Sequence, residues 1–201
     1  MNNISFTSNI NFVSPRQFKK AVRLHSEYIP FENYAKGKFS SVTSNFHTTD
    51  IRTCTAGGVS GDKIVKGFHI KDSYENISNL SEICDTLVEN IQSPFKNVLL
   101  IGSKEFHFAP YSRKIFTQLK DFFMNKSENL SFFEAFTDTR AEANIHYSLQ
   151  KDTWTINAQI FDPEKENYYS ILNKEDLLKS FKNISIGKND KLYLNGIYTV
   201  I

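Results

Sequence analysis

Val98-Leu99-Leu100-Ile101 is an unbroken apolar run held between Asn97 and Gly102. It is far too short to cross a bilayer, which takes about 20 apolar residues. Without alternation it offers no face to water, so it folds as a strand covered on both sides. The cover is supplied by its neighbours. Over residues 78–91 apolar side chains fall at Leu80, Ile83, Cys84, Leu87, Val88 and Ile91, the spacing of an amphipathic helix. Pro94 discourages its continuation. Residues 111–125 repeat helical spacing, with Ile115, Leu119, Phe122 and Phe123 as the buried set. A helix, a doubly covered strand and a second helix make a layered α/β or α+β domain.

The remaining segments add strands around that centre. Residues 9–13 read as a strand. Ser14-Pro15 is an N-cap followed by a proline at the first helical position, opening a helix over residues 15–26. Residues 29–45 are polar and loop-like, and residues 51–55 are extended. Ala56-Gly57-Gly58-Val59 is a small-residue run where backbones approach closely. Ser60-Gly61-Asp62 supplies a hairpin turn, and residues 63–70 return as an alternating strand. Residues 130–136 are extended, and residues 145–161 form a hairpin turning at Gln150-Lys151-Asp152. A short helix over residues 174–182 precedes a last pair of strands, at 184–186 and 192–194, turned by Gly187 to Asp190. The expectation is one domain over 1–201, a mixed sheet or sandwich flanked by helices.

Charge excludes several function classes. Lys and Arg number 24 against 22 Asp and Glu, a formal charge of +2. That balance makes no case for a nucleic-acid or membrane-surface partner. Aromatics reach 14%, with 18 Phe and 9 Tyr, enough for a sizeable core despite few small aliphatics. Charged residues at 23% rule out disorder of the whole chain. The two cysteines, Cys54 and Cys84, make no disulfide framework. The start lacks a basic stretch followed by an apolar one, so no secretory signal is expected. The reading is a chain folded in a reducing cytosol, either cytoplasmic or delivered to another cell without a cleavable signal.

Metal spacing is poor, with no CxxC, no HExxH and no His pair at helical spacing. Neither GxxxxGK[ST] nor GxGxxG occurs, and Gly58-Val59-Ser60-Gly61-Asp62 misses the serine-hydrolase elbow. What remains is Cys54 with His69, fifteen residues apart on the two arms of the hairpin. Opposed across a ladder, their Cβ atoms would lie about 5 Å apart. An imidazolium there would stabilise the thiolate. Thr55, Gly57 and Gly58 would leave room for substrate and offer main-chain N–H groups to an oxyanion. The alternative for each residue is packing: a small buried thiol and a half-buried strand histidine. Cys84 faces the apolar side of its helix and reads as core. His107 and His146 lie beside apolar strands, His25 lies near a helix C-terminus, and Trp154 reads as a sheet-face residue. Residues 138–142 read as a solvated loop.

Thr48, then Cys54 six residues on, a glycine-containing turn, and Gly67-Phe68-His69 together resemble the chemoreceptor glutamine deamidases, the CheD family. They also resemble the catalytic domains of cytotoxic-necrotizing-factor toxins. That family has a threonine six residues before a nucleophilic cysteine and a histidine some fifteen to seventeen residues after it, a pattern that Thr48, Cys54 and His69 are similar to. The order of elements after His69 is similar too. The resemblance covers residues 48–161, leaving a lead-in over 1–47 and a C-terminal extension over 162–201. Two positions depart from the pattern. Arg52-Thr53 replaces the small step before the cysteine, and Ser103-Lys104-Glu105-Phe106-His107 replaces a glycine-rich stretch. Both lie where substrate docks, so the family's receptor substrate does not carry over. The resemblance implies a toxin- or effector-like protein glutamine deamidase whose partner is a protein carrying a reactive glutamine. Cys54 would be the nucleophile, His69 the acid–base and Thr48 the group fixing its tautomer, with no metal or organic cofactor. The rivals are an inactive protein-binding module on the same fold, and a transglutaminase or peptidase using the same thiol and imidazole.

Overall fold

Two mixed β-sheets pack face to face in a computed structural model that describes residues 8–23, 26–30, 41–42, 45–61, 64–91, 95–104, 109–127, 129–138 and 140–201. The first sheet holds β1 (Ser8–Phe12), β2 (Ser26–Tyr28), β4 (Asn45–Ile51), β9 (Glu142–Ser148), β10 (Thr153–Asp162), β11 (Asn167–Ser170), β13 (Asp190–Leu194) and β14 (Ile197–Thr199). Its order is β14-β13-β1-β10-β9-β4-β2, with β11 also on β10. The second holds β3 (Ser41–Val42), β5 (Thr55–Ser60), β6 (Val65–Ile70), β7 (Asn97–Lys104), β8 (Leu130–Phe136) and β12 (Phe181–Ser185), in the order β12-β8-β7-β5-β6-β3. The chain is thus a mixed α/β sandwich.

The apolar run Val98-Leu99-Leu100-Ile101 lies within β7. Leu99 and Ile101 face the first sheet, while Val98 and Leu100 face the helices. Those helices are α2 (Tyr74–Ser78), α3 (Leu80–Val88) and α4 (Ser112–Met124), with Ile83, Leu87, Ile115, Phe116 and Leu119 turned inward. α1 (Pro15–Val22) lies on the outer face of the first sheet, begun by a capping box between Ser14 and Gln17. α5 (Lys174–Ser180) leads straight into β12.

Several local readings differ. The helix expected over 78–91 is α3, over the shorter span Leu80–Val88, and a short helix not expected from the sequence, α2, runs up to it and ends at Ser78. The last two strands do not pair with each other: β12 joins β8 in the second sheet, and β13 joins β1 in the first. The segments on either side of 48–161 are built into the sandwich, with β1 inserted in parallel between β10 and β13. Such non-local parallel pairings leave no signature in a local pattern.

The sheets approach most closely over two glycines. A Cβ on Gly58 would lie 2.9 Å from both Phe46 Cζ and Trp154 Cη2. One on Gly67 would fall inside the van der Waals shell of the Phe46 ring and the Ile29 side chain. Phe46 and Trp154, both fully buried, therefore seat their rings in hollows where the second sheet has no side chain, and Tyr147 packs against both rings. At the far end a polar network joins the layers. The Asp190 carboxylate accepts from Ser8, Ser131 and Asn129, and Asn129 also donates to Asn97 at 3.0 Å.

Filling the Gly67 hollow overpacks the core. Gly67→Ala is expected to cost about 1–3 kcal/mol in urea unfolding, and Phe46→Leu in the same chain should recover part of that loss.

Candidate active site

Side chains alternate along β4, so Phe46 and Thr48 point between the sheets while His47 and Thr49 point outward. Two residues beyond Phe46, Thr48 reaches the second sheet where His69 stands two residues beyond Gly67. Thr48 Oγ1 donates to the Ile29 carbonyl at 2.7 Å and lies 2.7 Å from His69 Nδ1. A hydroxyl has one proton, so Thr48 must accept from the imidazole. The bond therefore assigns the proton to Nδ1 and the lone pair to Nε2. Thr48 is 0% and His69 2% exposed, and the bond is closed to solvent.

Just past Thr48 the strand bulges. Thr48 pairs with Ile145 and Ile51 with Ala143, so β4 spends an extra residue, and Asp50 takes φ +60°. Asn144 Oδ1 accepts the Asp50 N–H at 3.0 Å, and Arg52 bridges to Glu142 at 3.1 Å. The chain then crosses between the sheets through Arg52, Thr53 and Cys54 before β5 begins. Cys54 thus sits at the crossover, buried.

Its surroundings come from the ends of neighbouring strands. Gly102 at the end of β7 has φ +137°, and a Cβ there would collide with the Cys54 carbonyl. Ser103 follows with φ +64°, a strained conformation for a residue with a side chain. The Ser103 and Thr55 hydroxyls are buried without a hydrogen-bond partner. On the other side the Asp72 main-chain N–H and the Thr53 hydroxyl face the sulfur. The Asp72 carboxylate in turn accepts the Tyr111 N–H at 2.9 Å, tying this loop to the start of α4.

Burial governs the electrostatics. It pushes the Cys54 thiol above its ordinary value, only partly offset by the Asp72 N–H. It lowers His69 to about 4, with Asp50 opposing weakly. Both groups rest neutral, so the imidazolium–thiolate pair expected from the sequence is replaced by an uncharged thiol and an uncharged base.

Two further expectations need correction. The hairpin register sets Ala56 opposite His69 and Ser60 opposite Val65, so Cys54 is not the cross-strand partner of His69. It precedes β5, outside the ladder, two residues before that partner. Gly57 and Gly58 are not oxyanion donors, because β5 lies between β6 and β7 and their N–H groups serve the ladders on either edge. Their role is close packing; a Cβ on Gly57 would strike the Leu99 carbonyl. Thr55 also pairs on both edges, and its hydroxyl is buried without a partner.

Elsewhere, Cys84 is buried in α3, and burial lifts its thiol to about 11. Trp154 lies wholly within the sandwich. The stretch at 138–142 is only partly solvated, since Ala141 is buried and Glu142 belongs to β9. His25 and residues 105–107 lie outside the described residues. Asp72, Ser103 and the Ile29 carbonyl were not singled out from the sequence as site groups. Only Ser103 left a trace, as the first residue of a stretch departing from the family pattern.

Among the described residues no three His, Cys, Asp or Glu side chains gather where they could hold a metal ion, and no helix is long and apolar enough to cross a membrane. No protein-family model matches the chain, and no match to a curated protein was found.

The buried imidazoles fix a pH dependence of stability. His69 and His146 both fall from 6.5 to about 4 on folding, chiefly through burial. Between those values the unfolded chain binds more protons than the folded one, so stability is full above about 6.5 and is lost as pH falls toward 4. Each contributes on the order of 3 kcal/mol. Urea unfolding over this window should show that loss, and His146→Phe should remove His146's share of it.

Proposed function

We propose that the chain is a cysteine-dependent protein glutamine deamidase, with Cys54 as nucleophile, His69 as acid–base and Thr48 as its positioning residue. The observation that carries the reading is the buried Thr48–His69 hydrogen bond, which leaves a lone pair on Nε2 as a general base requires. Two buried hydroxyls without partners support it, on Thr55, which follows Cys54, and on Ser103, which follows the Gly102 packed on the Cys54 carbonyl, since such groups collect at functional sites.

The chemistry follows from neutral groups. His69 Nε2 takes the proton from the Cys54 thiol as sulfur bonds to the carboxamide carbon of a protein glutamine. The Asp72 N–H and the Thr53 hydroxyl, which face the sulfur, are the donors offered to the oxyanion. As the carbon–nitrogen bond breaks, the imidazolium returns its proton to the departing nitrogen and ammonia leaves. The resulting thioester is attacked by water, whose proton passes to His69. The carbon–sulfur bond breaks, releasing glutamate, and the thiolate recovers its proton from the imidazolium. No step calls for a metal or an organic cofactor.

A second reading, a protein-binding module on the same fold, is favoured by one observation: Cys54 is buried with its thiol held neutral.

Incubating the protein with a cell lysate and reading glutamine-to-glutamate conversion by mass spectrometry, together with ammonia release, tests the proposal. Conversion should vanish in Cys54→Ala. It should fall about 10²-fold or more in kcat for Thr48→Val and return in Thr48→Ser, which keeps the hydroxyl. Partner retention without conversion would establish the binding module instead. Incorporation of an added primary amine would mean transglutamination, and backbone cleavage would mean a peptidase.

A further inference from the structure

The strand that aims Thr48 inward carries a second set of groups on its other side. His47 and Thr49 of β4, Asn144 and His146 of β9, and Asn157 and Gln159 of β10 share the outer face of the first sheet. α1 lies across this face, with Phe18 buried beneath it. Between helix and sheet is a cleft of about 610 Å³, with Phe18 and Val22 as its apolar wall and His47, Asn144 and Gln159 on its polar floor. Lys19 and Arg23 stand on its rim, and no carboxylate is among the described residues that line it.

Charge is concentrated here despite the near-neutral chain. Arg16, Lys19, Lys20 and Arg23 recur at helical spacing, and all four are exposed. None forms an ion pair with a described residue. A second hollow adjoining the first is lined by these four cations and Pro15. Four cations that no described residue neutralises exceed what one carboxylate balances, whereas a phosphate monoester carries about −1.5 to −2 and suits Arg and Lys together.

Next to the floor, though not among the residues lining the cleft, stands an anomaly. His146, directly opposite His47 in the β4–β9 ladder, is 3% exposed, and neither ring nitrogen has a hydrogen-bond partner. Burying an imidazole without a partner is costly and calls for a compensating polar contact.

We infer that the cleft under α1 is a binding site for a phosphate-bearing ligand, separate from the Cys54 site, with Lys19 and Arg23 taking the phosphate and the His47, Asn144 and Gln159 floor taking the ligand body. Phosphate of this kind is carried by a soluble monoester or by a lipid headgroup, and the two sources are separable.

The test uses calorimetric titration of the full chain with inorganic pyrophosphate, and sedimentation with phosphatidylcholine vesicles with and without phosphatidic acid. The His47 and His146 ring signals are followed by NMR during the titrations. Saturable binding should move both ring signals and weaken about tenfold or more in Lys19→Glu/Arg23→Glu. The exposed positions of both residues should leave the melting temperature unchanged. Pyrophosphate binding without vesicle binding identifies a soluble ligand; binding only to phosphatidic acid vesicles, with the same dependence on Lys19 and Arg23, identifies a headgroup. The inference is overturned if neither probe binds saturably, if charge reversal leaves affinity unchanged, or if the two histidine signals stay still.

Discussion

The seating of Phe46 in the hollows above Gly58 and Gly67 sets the spacing on which the rest of the sandwich depends. Stacked sheets ordinarily stand about 10 Å apart because each contributes a layer of side chains. Where one sheet has only hydrogens, the other sheet's rings move in. The same two-residue step that carries β4 from Phe46 to Thr48 carries β6 from Gly67 to His69, so the packing that fills the hollow also brings hydroxyl and imidazole within 2.7 Å. A glycine motif and a hydrogen bond that look unrelated in the sequence are one geometric device.

That closeness fixes the electrostatic character of the site. A dry interior disfavours charge, so it holds both His69 and Cys54 neutral. In the deamidase proposed here, a preformed ion pair gives way to proton transfer during attack, in which the orientation of the imidazole matters more than its basicity. Orientation is what Thr48 supplies, being anchored in turn to the Ile29 carbonyl. The bulge at Asp50 then releases the chain from the first sheet and delivers Cys54 to the second.

Much of this was legible from local pattern. The helical spacing of Leu80 through Val88, the doubly covered run in β7 and the hairpin turned near Gly61 follow from periodicity and turn chemistry, and all are present. The small-residue run at Ala56 to Val59 marked a close approach. Its purpose was misread because ladder pairing on both edges, which consumes the Gly57 and Gly58 N–H groups, is a property of the assembled sheet. Register was equally hidden. Whether Ala56 or Cys54 faces His69 depends on one pair of residues in the hairpin loop, and a count of intervening positions does not contain it. The insertion of β1 between β10 and β13, and the parting of β12 and β13 into different sheets, depend on contacts more than a hundred and about fifty residues apart in the chain respectively.

The central claim, that His69 acts as a neutral base toward Cys54, is tested most directly by the pH profile of Cys54 alkylation with iodoacetamide, itself a small carboxamide. If the claim holds, the wild type reacts over a plateau that begins near pH 4, where His69 loses its proton, and rises again only as the thiol ionises above its ordinary range. His69→Gln then keeps the upper limb alone. A single thiolate limb, identical in the wild type and in His69→Gln, would contradict the account and leave Cys54 a packing residue.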